Sequence, residues 1–263
     1  MLIGQGGTAT IYEALDLQLE RYVALKVRRK DTTDYVSALK KEAYHMLLLN
    51  HPNVLKCYQY DQWRGVEYLV LERIRGKDAR QKMKESPDGQ LGVHDAASIG
   101  IQILQALSHI HQEGVVHGDV KPRNILIDTY GDATLCDFGA SQTTKEGAGE
   151  KLICTAGYVS PERLRGHGSD IRSDLYSLGM TIFSLANGAP AFGRDPEQAI
   201  EGNLNKRPPL RSALPPPLHK VVRKSLAKSP HDRYQTAKQM EAAVVRALDR
   251  IRVRQRLSPL QLL

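Results

Sequence analysis

The sequence has no long hydrophobic segment. No apolar run among its 263 residues approaches the ~18 residues that a membrane-spanning helix needs, and the N-terminus lacks the basic and then apolar pattern of a secretory signal. Cysteine is scarce, since only Cys57, Cys136 and Cys154 occur, and their spacing is not that of a metal site. We therefore expect no transmembrane segment, reduced thiols and a cytoplasmic location.

The sequence also lacks internal repeats and any extreme of composition. Without repeats a solenoid is not indicated, and hydrophobic and charged contents of 41% and 25% are ordinary for globular proteins. The length is enough for one large domain or two lobes. The net charge of +8 favours a solvated surface over a dedicated binding face. We expect no nucleic-acid partner.

The most informative stretch is residues 117–139, HGDVKPRNILIDTYGDATLCDFG. Residues 125–127 and 133–136 have the pattern of two short strands around a turn, while Pro122 keeps the segment before them irregular. The ends of this hairpin bring together a hydroxyl-proton acceptor, a cation, an amide and a metal-seeking carboxylate: Asp119, Lys121, Asn124 and Asp137. This combination suits phosphoryl transfer, where positioning and charge neutralisation do most of the catalysis. The alternative is an accidental hairpin with solvated charges.

These motifs resemble the catalytic loop and the Asp-Phe-Gly motif of the protein kinases. The resemblance implies that Asp119 orients a substrate hydroxyl and accepts its proton, and that Lys121 steadies the transferring phosphoryl group. It also implies that Asn124 and Asp137 hold Mg²⁺. ATP and Mg²⁺ are thus the expected cofactors.

The N-terminal segment fits the same family. Residues 3–12, IGQGGTATIY, form a glycine-rich stretch that can approach phosphates closely, although such a stretch alone is weak evidence. Residues 23–26 look like a buried strand ending in Lys26, similar to the kinase strand whose lysine holds the ATP phosphates. The resemblance implies that Glu42 pairs with this lysine. It further implies nucleotide contacts from Ile3, Gly4, Gln5, Gly6, Gly7, Thr8, Ala9, Ile11, Ala24, Glu72, Ile74, Asp78 and Leu126.

Two features depart from the family at this end. Ala9 stands where the third glycine is usual, and three residues precede Gly4, so we expect a truncated first strand. The resemblance places a hinge at residues 71–74, where backbone groups of Glu72 and Ile74 would hydrogen-bond adenine. Asp78 then lies where a ribose-contacting acid is common.

Hydrophobic periodicity predicts helices at residues 36–50 and 94–111, with strands at 54–60 and 66–71 between them. The apolar stripe of the first helix would contain Tyr44, Leu47 and Leu48. Gly114 would end the second helix.

Three histidines near the catalytic loop are interpreted as structural. His109 and His111 are two residues apart, so on a helix they face different directions and do not form a metal pair. His117 is expected to be a packed, hydrogen-bonded core residue. The resemblance implies that Asp174, in a later buried helix, caps backbone groups near it.

Residues 154–162, CTAGYVSPE, resemble the end of a kinase activation segment, with Ser160 replacing the usual alanine. Glu162 would pair with Arg233. Thr155 lies where serine/threonine kinases carry a threonine that reaches the catalytic Asp and Lys, so the expected acceptors are protein serine and threonine hydroxyls.

The usual phosphate switch of the activation segment is missing from the sequence. Gly118 replaces the arginine that receives a loop phosphate, and Lys151 occupies about the place of the phosphorylated residue. We therefore expect activity that does not require phosphorylation of the loop.

The resemblance extends from residue 3 to about residue 247 and is most like bacterial serine/threonine kinases of the eukaryotic type. The expected fold is α+β and two-lobed. Residues 1–74 would form a small antiparallel sheet with one helix, and residues 75–250 a mainly helical lobe. Residues 251–263 form a basic and then apolar tail, either a solvated helix end or a segment for a membrane surface or partner.

Two alternatives to a protein kinase stay open. A pseudokinase would share the fold, but all five residues that a kinase needs at its site are present: Lys26, Glu42, Asp119, Asn124 and Asp137. A small-molecule phosphotransferase would not need residues 155–162 to shape a peptide groove.

Overall fold

A computed structural model gives the structure of most of the chain. The residues that it describes are 1–5, 9–28, 38–143, 156–209 and 213–257.

The first part of the chain forms an antiparallel sheet of five strands in the order β1-β2-β3-β5-β4. The strands are β1 Leu2–Gln5, β2 Ala9–Asp16, β3 Arg21–Arg28, β4 Cys57–Trp63 and β5 Val66–Glu72. In the centre of the sheet, Lys26 lies opposite Ile11 on one side and Leu69 on the other. Helix α1, Ala38–Leu47, packs against β4 and β5.

The prediction of which face of α1 is buried was wrong. Tyr44, Leu47 and Leu48 are 63%, 51% and 57% exposed. The buried face instead contains Leu39, Glu42, Ala43, His45 and Met46. The orientation of the helix is set by the polar contacts of Glu42 and His45 and by the packing of Met46, and these outweigh the burial of three larger apolar side chains.

The rest of the described chain is mainly helical, so the α+β fold expected from the sequence is confirmed. Its helices are α2 Ala79–Glu85, α3 Val93–Gln112, α4 Pro161–Leu164, α5 Ile171–Asn187, α6 Pro196–Asn205, α7 Pro216–Ser225 and α8 Ala237–Leu257. Its strands are β6 Gly76–Asp78, β7 Val115–Val116, β8 Ile125–Asp128, β9 Ala133–Leu135 and β10 Gln142–Thr143.

The predicted hairpin is formed by β8 and β9, with Leu126 opposite Thr134. Asp128 closes its turn by accepting hydrogen bonds from the amides of Tyr130 and Asp132 at 2.8 and 2.9 Å. Strand β6 pairs with the other edge of β8. The hairpin therefore has a fixed register, and the polar residues at its ends have fixed positions.

Helix α5 is the central support of the helical part. It begins at a capping box made by Asp170 and Ser173, and residues 173–186 are all buried. Gly179 allows α7 to approach closely, since a Cβ there would lie 1.9 Å from Ser225 Oγ. In the part of the chain that the structure describes, no helix has both the length and the apolar character that a bilayer crossing requires.

Candidate active site

The loop between β7 and β8 brings Asp119, Lys121 and Asn124 into contact. Lys121 Nζ lies 2.5 Å from Asp119 Oδ2, and Asn124 Nδ2 lies 3.0 Å from the same oxygen. The amide of Asn124 also donates to the backbone carbonyl of Asp119 at 2.8 Å. These bonds fix the carboxylate through Oδ2, which leaves Oδ1 for a hydroxyl proton as far as the described residues are concerned.

Asp174 of α5 fixes this loop by binding two of its backbone amides. Its two carboxylate oxygens accept the amides of His117 and Gly118 at 2.9 and 2.8 Å, which confirms the predicted cap. His111 Nε2 lies 2.8 Å from Asp174 Oδ2. Burial alone would raise the pKa of Asp174, but the hydrogen bond and charge of His111 outweigh burial and lower that pKa. The cap therefore remains ionised at neutral pH.

His117 is a structural residue, as predicted. Its Nδ1 accepts the amide of Asp119 at 3.2 Å, so its Nε2 carries the hydrogen and donates to the carbonyl of Cys136 at 3.1 Å. The ring packs edge-on against Phe138, with centroids 4.8 Å apart. Burial lowers the pKa of His117. A neutral, fully bonded imidazole of this kind positions the loop and is not a base.

Gly118 is required by the shape of the loop. Its φ is +78°, a left-handed conformation that glycine adopts without steric cost. A Cβ at this position would lie 2.7 Å from the carbonyl oxygen of Ala140. The guanidinium of Arg163 in α4 donates a hydrogen bond to the carbonyl of Gly118. The sequence analysis missed this contact, because neither spacing nor periodicity relates Arg163 to the loop.

Asp137 follows β9 and adopts a left-handed conformation with φ +66°. Such a conformation costs an L-residue with a side chain roughly 1–3 kcal/mol, and surrounding contacts must hold it. Here Asp137 Oδ1 lies 2.8 Å from Lys26 Nζ. The strained turn therefore delivers the second carboxylate to the sheet lysine.

Lys26 joins Asp137 to helix α1. Its Nζ lies 2.7 and 2.8 Å from the two oxygens of Glu42, so the expected ion pair is present. Burial alone would lower the pKa of Lys26, but the charges of Glu42 and Asp137 more than compensate and raise it. The charge of Lys26 in turn lowers the pKa of Asp137. One lysine, charged at any physiological pH, thus bridges two carboxylates from separate elements.

The donor set at this site fits a hard divalent cation. The side chain of Asp137 is 49% exposed, and the amide nitrogen of Asn124 is engaged by Asp119, which leaves the amide oxygen as the donor. Mg²⁺ is usually held by one or two protein oxygens together with phosphates and water. Among the described residues, no group of three or more His, Cys, Asp or Glu side chains is arranged to hold a metal ion.

The residues expected to contact a nucleotide lie on both sides of Lys26. Ile11 faces Lys26 across β2 and β3, and Ala24 lies two residues earlier on the same face of β3. Ile11, Ile74 and Leu126 pack against the hydrophobic core while remaining partly exposed. This leaves an apolar surface beside the charged cluster.

Other residues expected to contact a nucleotide lie in the first two strands, at the end of β5 and at the start of α2. Ile3, Gly4 and Gln5 lie in β1, and Ala9 begins β2. The amide of Glu72 donates to the carbonyl of Lys56 at 2.9 Å. Asp78 caps α2 by accepting the amide of Gln81 at 2.9 Å. Predictions that fall outside the described residues concern Gly6, Gly7, Thr8, Lys151 and Thr155.

Glu162 and Arg233 form the predicted ion pair at the end of the activation-type segment. The guanidinium binds both carboxylate oxygens, at 2.8 and 2.7 Å, and Ser173 of α5 donates to the same carboxylate at 2.6 Å. Burial opposes ionisation of Glu162, but the hydrogen bonds and charge of Arg233 lower its pKa to about 2.

Comparison with known families and proteins agrees with this geometry. The model of the protein kinase domain matches residues 1–245. The chain is 32% identical to the serine/threonine-protein kinase PrkC of Bacillus subtilis, over 97% of this chain and 41% of that protein. It is 33% identical to the serine/threonine-protein kinase PknB of Mycolicibacterium smegmatis, over 93% of this chain and 42% of that protein. PknB of Mycobacterium tuberculosis is 32% identical over the same shares. The chain thus spans about two fifths of the length of these relatives.

Proposed function

Because the chain belongs to the protein kinase family, we propose that it transfers the γ-phosphoryl group of Mg-ATP to serine and threonine hydroxyls of proteins. The observation that carries the proposal is the position of Lys26, which binds Glu42 from α1 and Asp137 from the strained turn. This arrangement aligns a nucleotide-binding cation with a metal-binding carboxylate.

The chain's own residues divide the chemistry between them. Lys26 binds nucleotide phosphates, and Glu42 keeps it extended into the site. Asp119, held through Oδ2 by Lys121 and Asn124, orients the acceptor hydroxyl and takes its proton. Lys121 lies beside the developing charge on the transferred group.

Asp137 and Asn124 would hold the metal. Bound Mg²⁺ neutralises phosphate charge. Lys26 and Lys121 would offset further negative charge on the phosphates.

A cytoplasmic location is part of the proposal. Its support is the need for ATP and the presence of Cys57 and Cys136 as buried, free thiols. The relatives are named serine/threonine-protein kinases, which supports proteins as the acceptors and serine or threonine as the acceptor residue.

The decisive test is Asp119→Asn. This change keeps the shape of the side chain but removes the proton acceptor, so we expect phosphoryl transfer from [γ-³²P]ATP to casein to fall by at least about 100-fold. Nucleotide binding, measured by calorimetry with Mg-ADP, should remain within about twofold. Asp132→Asn, an exposed carboxylate on the hairpin turn, is the matched control and should retain full activity. Near-normal transfer by Asp119→Asn would exclude the assigned role.

The same assay separates the alternatives. A pseudokinase would bind Mg-ATP without turnover. A small-molecule phosphotransferase would label an amino alcohol or sugar and leave protein acceptors unlabelled.

A further inference from the structure

Helix α1 contacts the turn after Asp137 through a second polar link. His45 and Ser141 are 1% and 3% exposed, and His45 Nδ1 lies 2.6 Å from Ser141 Oγ. Ser141 Oγ also lies 2.6 Å from the backbone carbonyl of Phe138. His45 and Ser141 are 96 residues apart in sequence, so this is a tertiary contact between two functional elements.

The direction of each hydrogen bond in this link follows from its chemistry. A carbonyl oxygen only accepts, so the single hydroxyl hydrogen of Ser141 is donated to Phe138. His45 Nδ1 must then carry a hydrogen and donate it to Ser141 Oγ. The result is a continuous chain from imidazole to hydroxyl to carbonyl, and a buried chain of this kind is strengthened by its own polarisation.

The link complements the contact made by Glu42. Helix α1 also contacts residues 138–140, where the backbone of Phe138 acts to lower the pKa of Glu42, while the carboxylate oxygens of Glu42 bind Lys26. Glu42 and His45 are three residues apart and therefore lie on the same face of α1. The carbonyl of Phe138 is connected to this helix through the hydroxyl of Ser141, and it also accepts the backbone amide of Ser141 at 2.9 Å.

We propose that His45 and Ser141 are positioning residues that latch α1 to the Asp137 turn, so that Glu42 and Asp137 reach Lys26 together. The inference rests on the phosphoryl transfer proposed above. The latch acts on the residue next to Asp137, whose left-handed conformation needs external support. Breaking it leaves the folded core in place, because Leu39, Ala43 and Met46 remain packed, but it releases one of the two attachments that align the site.

Three variants test the latch. His45→Phe keeps a ring without the donor, Ser141→Ala removes the relay hydroxyl, and the third variant combines both changes. Each single change should lower kcat/KM for ATP about 5- to 10-fold, with KM for casein within twofold. The double variant should be no worse than either single one, since all three break the same chain of bonds. Losses that multiply would show two separate packing effects and overturn the proposal.

A conservative rescue separates hydrogen bonding from packing. In His45→Asn the amide nitrogen occupies the place of Nδ1 and can donate to Ser141, so kcat/KM should stay within about twofold of the unmodified protein. In the Ser141→Ala background, Asn and Phe at position 45 should be equivalent. Failure of Asn to rescue in the presence of Ser141 would contradict the latch. Ser225→Ala, a buried serine in α7 with a bond to Val222, is the matched control and should retain normal kinetics.

A second readout does not depend on activity. Without nucleotide, the amides of residues 138–141 and 42–46 should exchange with deuterium about tenfold faster in His45→Phe and in Ser141→Ala, while α3 stays protected. If the unmodified protein transfers no phosphate but exchange responds in this way, the proposed function fails and the latch stands. Exchange that is unchanged in both variants overturns the latch, whatever the activity. If His45→Phe does not fold, Ser141→Ala and His45→Asn provide the same comparison.

Discussion

The ion pair between Glu162 and Arg233 should dominate the acid sensitivity of the fold. Arg233 is 2% exposed, and besides Glu162 it donates to the backbone carbonyls of Ala227, Arg172 and Lys228. The pair therefore connects the segment of residues 154–162 to the first turn of α5 and to the loop between α7 and α8. Glu162→Gln removes the charge with almost no change of shape, which isolates the electrostatic contribution.

The size of the effect follows from the pKa of Glu162, which falls from 4.5 to about 2 on folding. A pKa shift of one unit corresponds to about 1.4 kcal/mol, so ionised Glu162 contributes about 3 kcal/mol to the free energy of unfolding at pH 7. This agrees with the ~3–5 kcal/mol lost when one member of a buried pair is removed. Glu162→Gln should be destabilised by a similar amount, because Arg233 is left buried without its counter-charge.

The pKa values of Glu162 in the folded and unfolded protein also determine how the stability changes with pH. Because the folded-state pKa lies below the unfolded one, the stabilisation is complete above about pH 4.5 and is lost as the pH falls towards about 2. The stability difference between the unmodified protein and Glu162→Gln should therefore shrink from about 3 kcal/mol at pH 7 to about half of that at pH 3.

Urea denaturation at pH 3 to 7, followed by the fluorescence of Trp63, measures this difference. Glu85→Gln is the control, since Glu85 pairs with Lys77 in a contact where both side chains are more than half exposed. Such surface pairs contribute at most about 1 kcal/mol, so the control should change little. A Glu162→Gln difference below about 1 kcal/mol at pH 7, or one that is constant across this pH range, would refute the reasoning.

The proposed chemistry gives three further expected results. Asp137→Asn removes a hard carboxylate ligand, so a Mg²⁺ titration of ATP binding should require at least about tenfold more metal; an unchanged titration argues against the metal role. Thr143 and Thr144 are hydroxyl residues that follow the Asp-Phe-Gly stretch in the sequence. The phosphatase-treated protein and the Thr143→Ala/Thr144→Ala double variant should each retain most initial-rate activity on casein, and a tenfold loss would reveal a required phosphate. Mass spectrometry of labelled casein should find phosphoserine and phosphothreonine, and a pool dominated by phosphotyrosine would be contrary to the proposed acceptor type.

Local patterns predicted the elements that depend on neighbouring residues. The β8–β9 hairpin formed where short apolar runs flank a turn, because strand alternation and turn chemistry act over a few residues. Helix α3 was predicted within one residue at each end, since its apolar residues recur at helical spacing along its length. Predictions from periodicity succeed where burial alone selects the face of an element.

The face of α1 was not predictable in this way. Periodicity placed Leu47 and Leu48 inside, whereas the structure buries Glu42 and His45. Both polar residues are bonded to groups that are distant in sequence, Lys26 and Ser141. A paired charge and a satisfied imidazole can occupy a core where the unpaired groups could not, and no local pattern reveals the partners. The rule that apolar residues are buried and polar residues are exposed therefore fails on α1, at the residues that form the site.

The same distinction explains the catalytic loop at Gly118. In the sequence, Gly118 stands where an arginine is usual, so the loop lacks the side chain that would bind a phosphate. In the structure, its amide is bound by Asp174 and its carbonyl by Arg163, so both polar groups of this residue are held by charged side chains. Hydrogen bonds to charged groups contribute about 1.5–3 kcal/mol each, and here they come from side chains of the helices α4 and α5.

The contact from α4 joins the residues that directly follow segment 154–162 to the catalytic loop. A loop phosphate and an arginine would otherwise make this connection. We therefore expect that this kinase does not need a phosphate to order its catalytic loop.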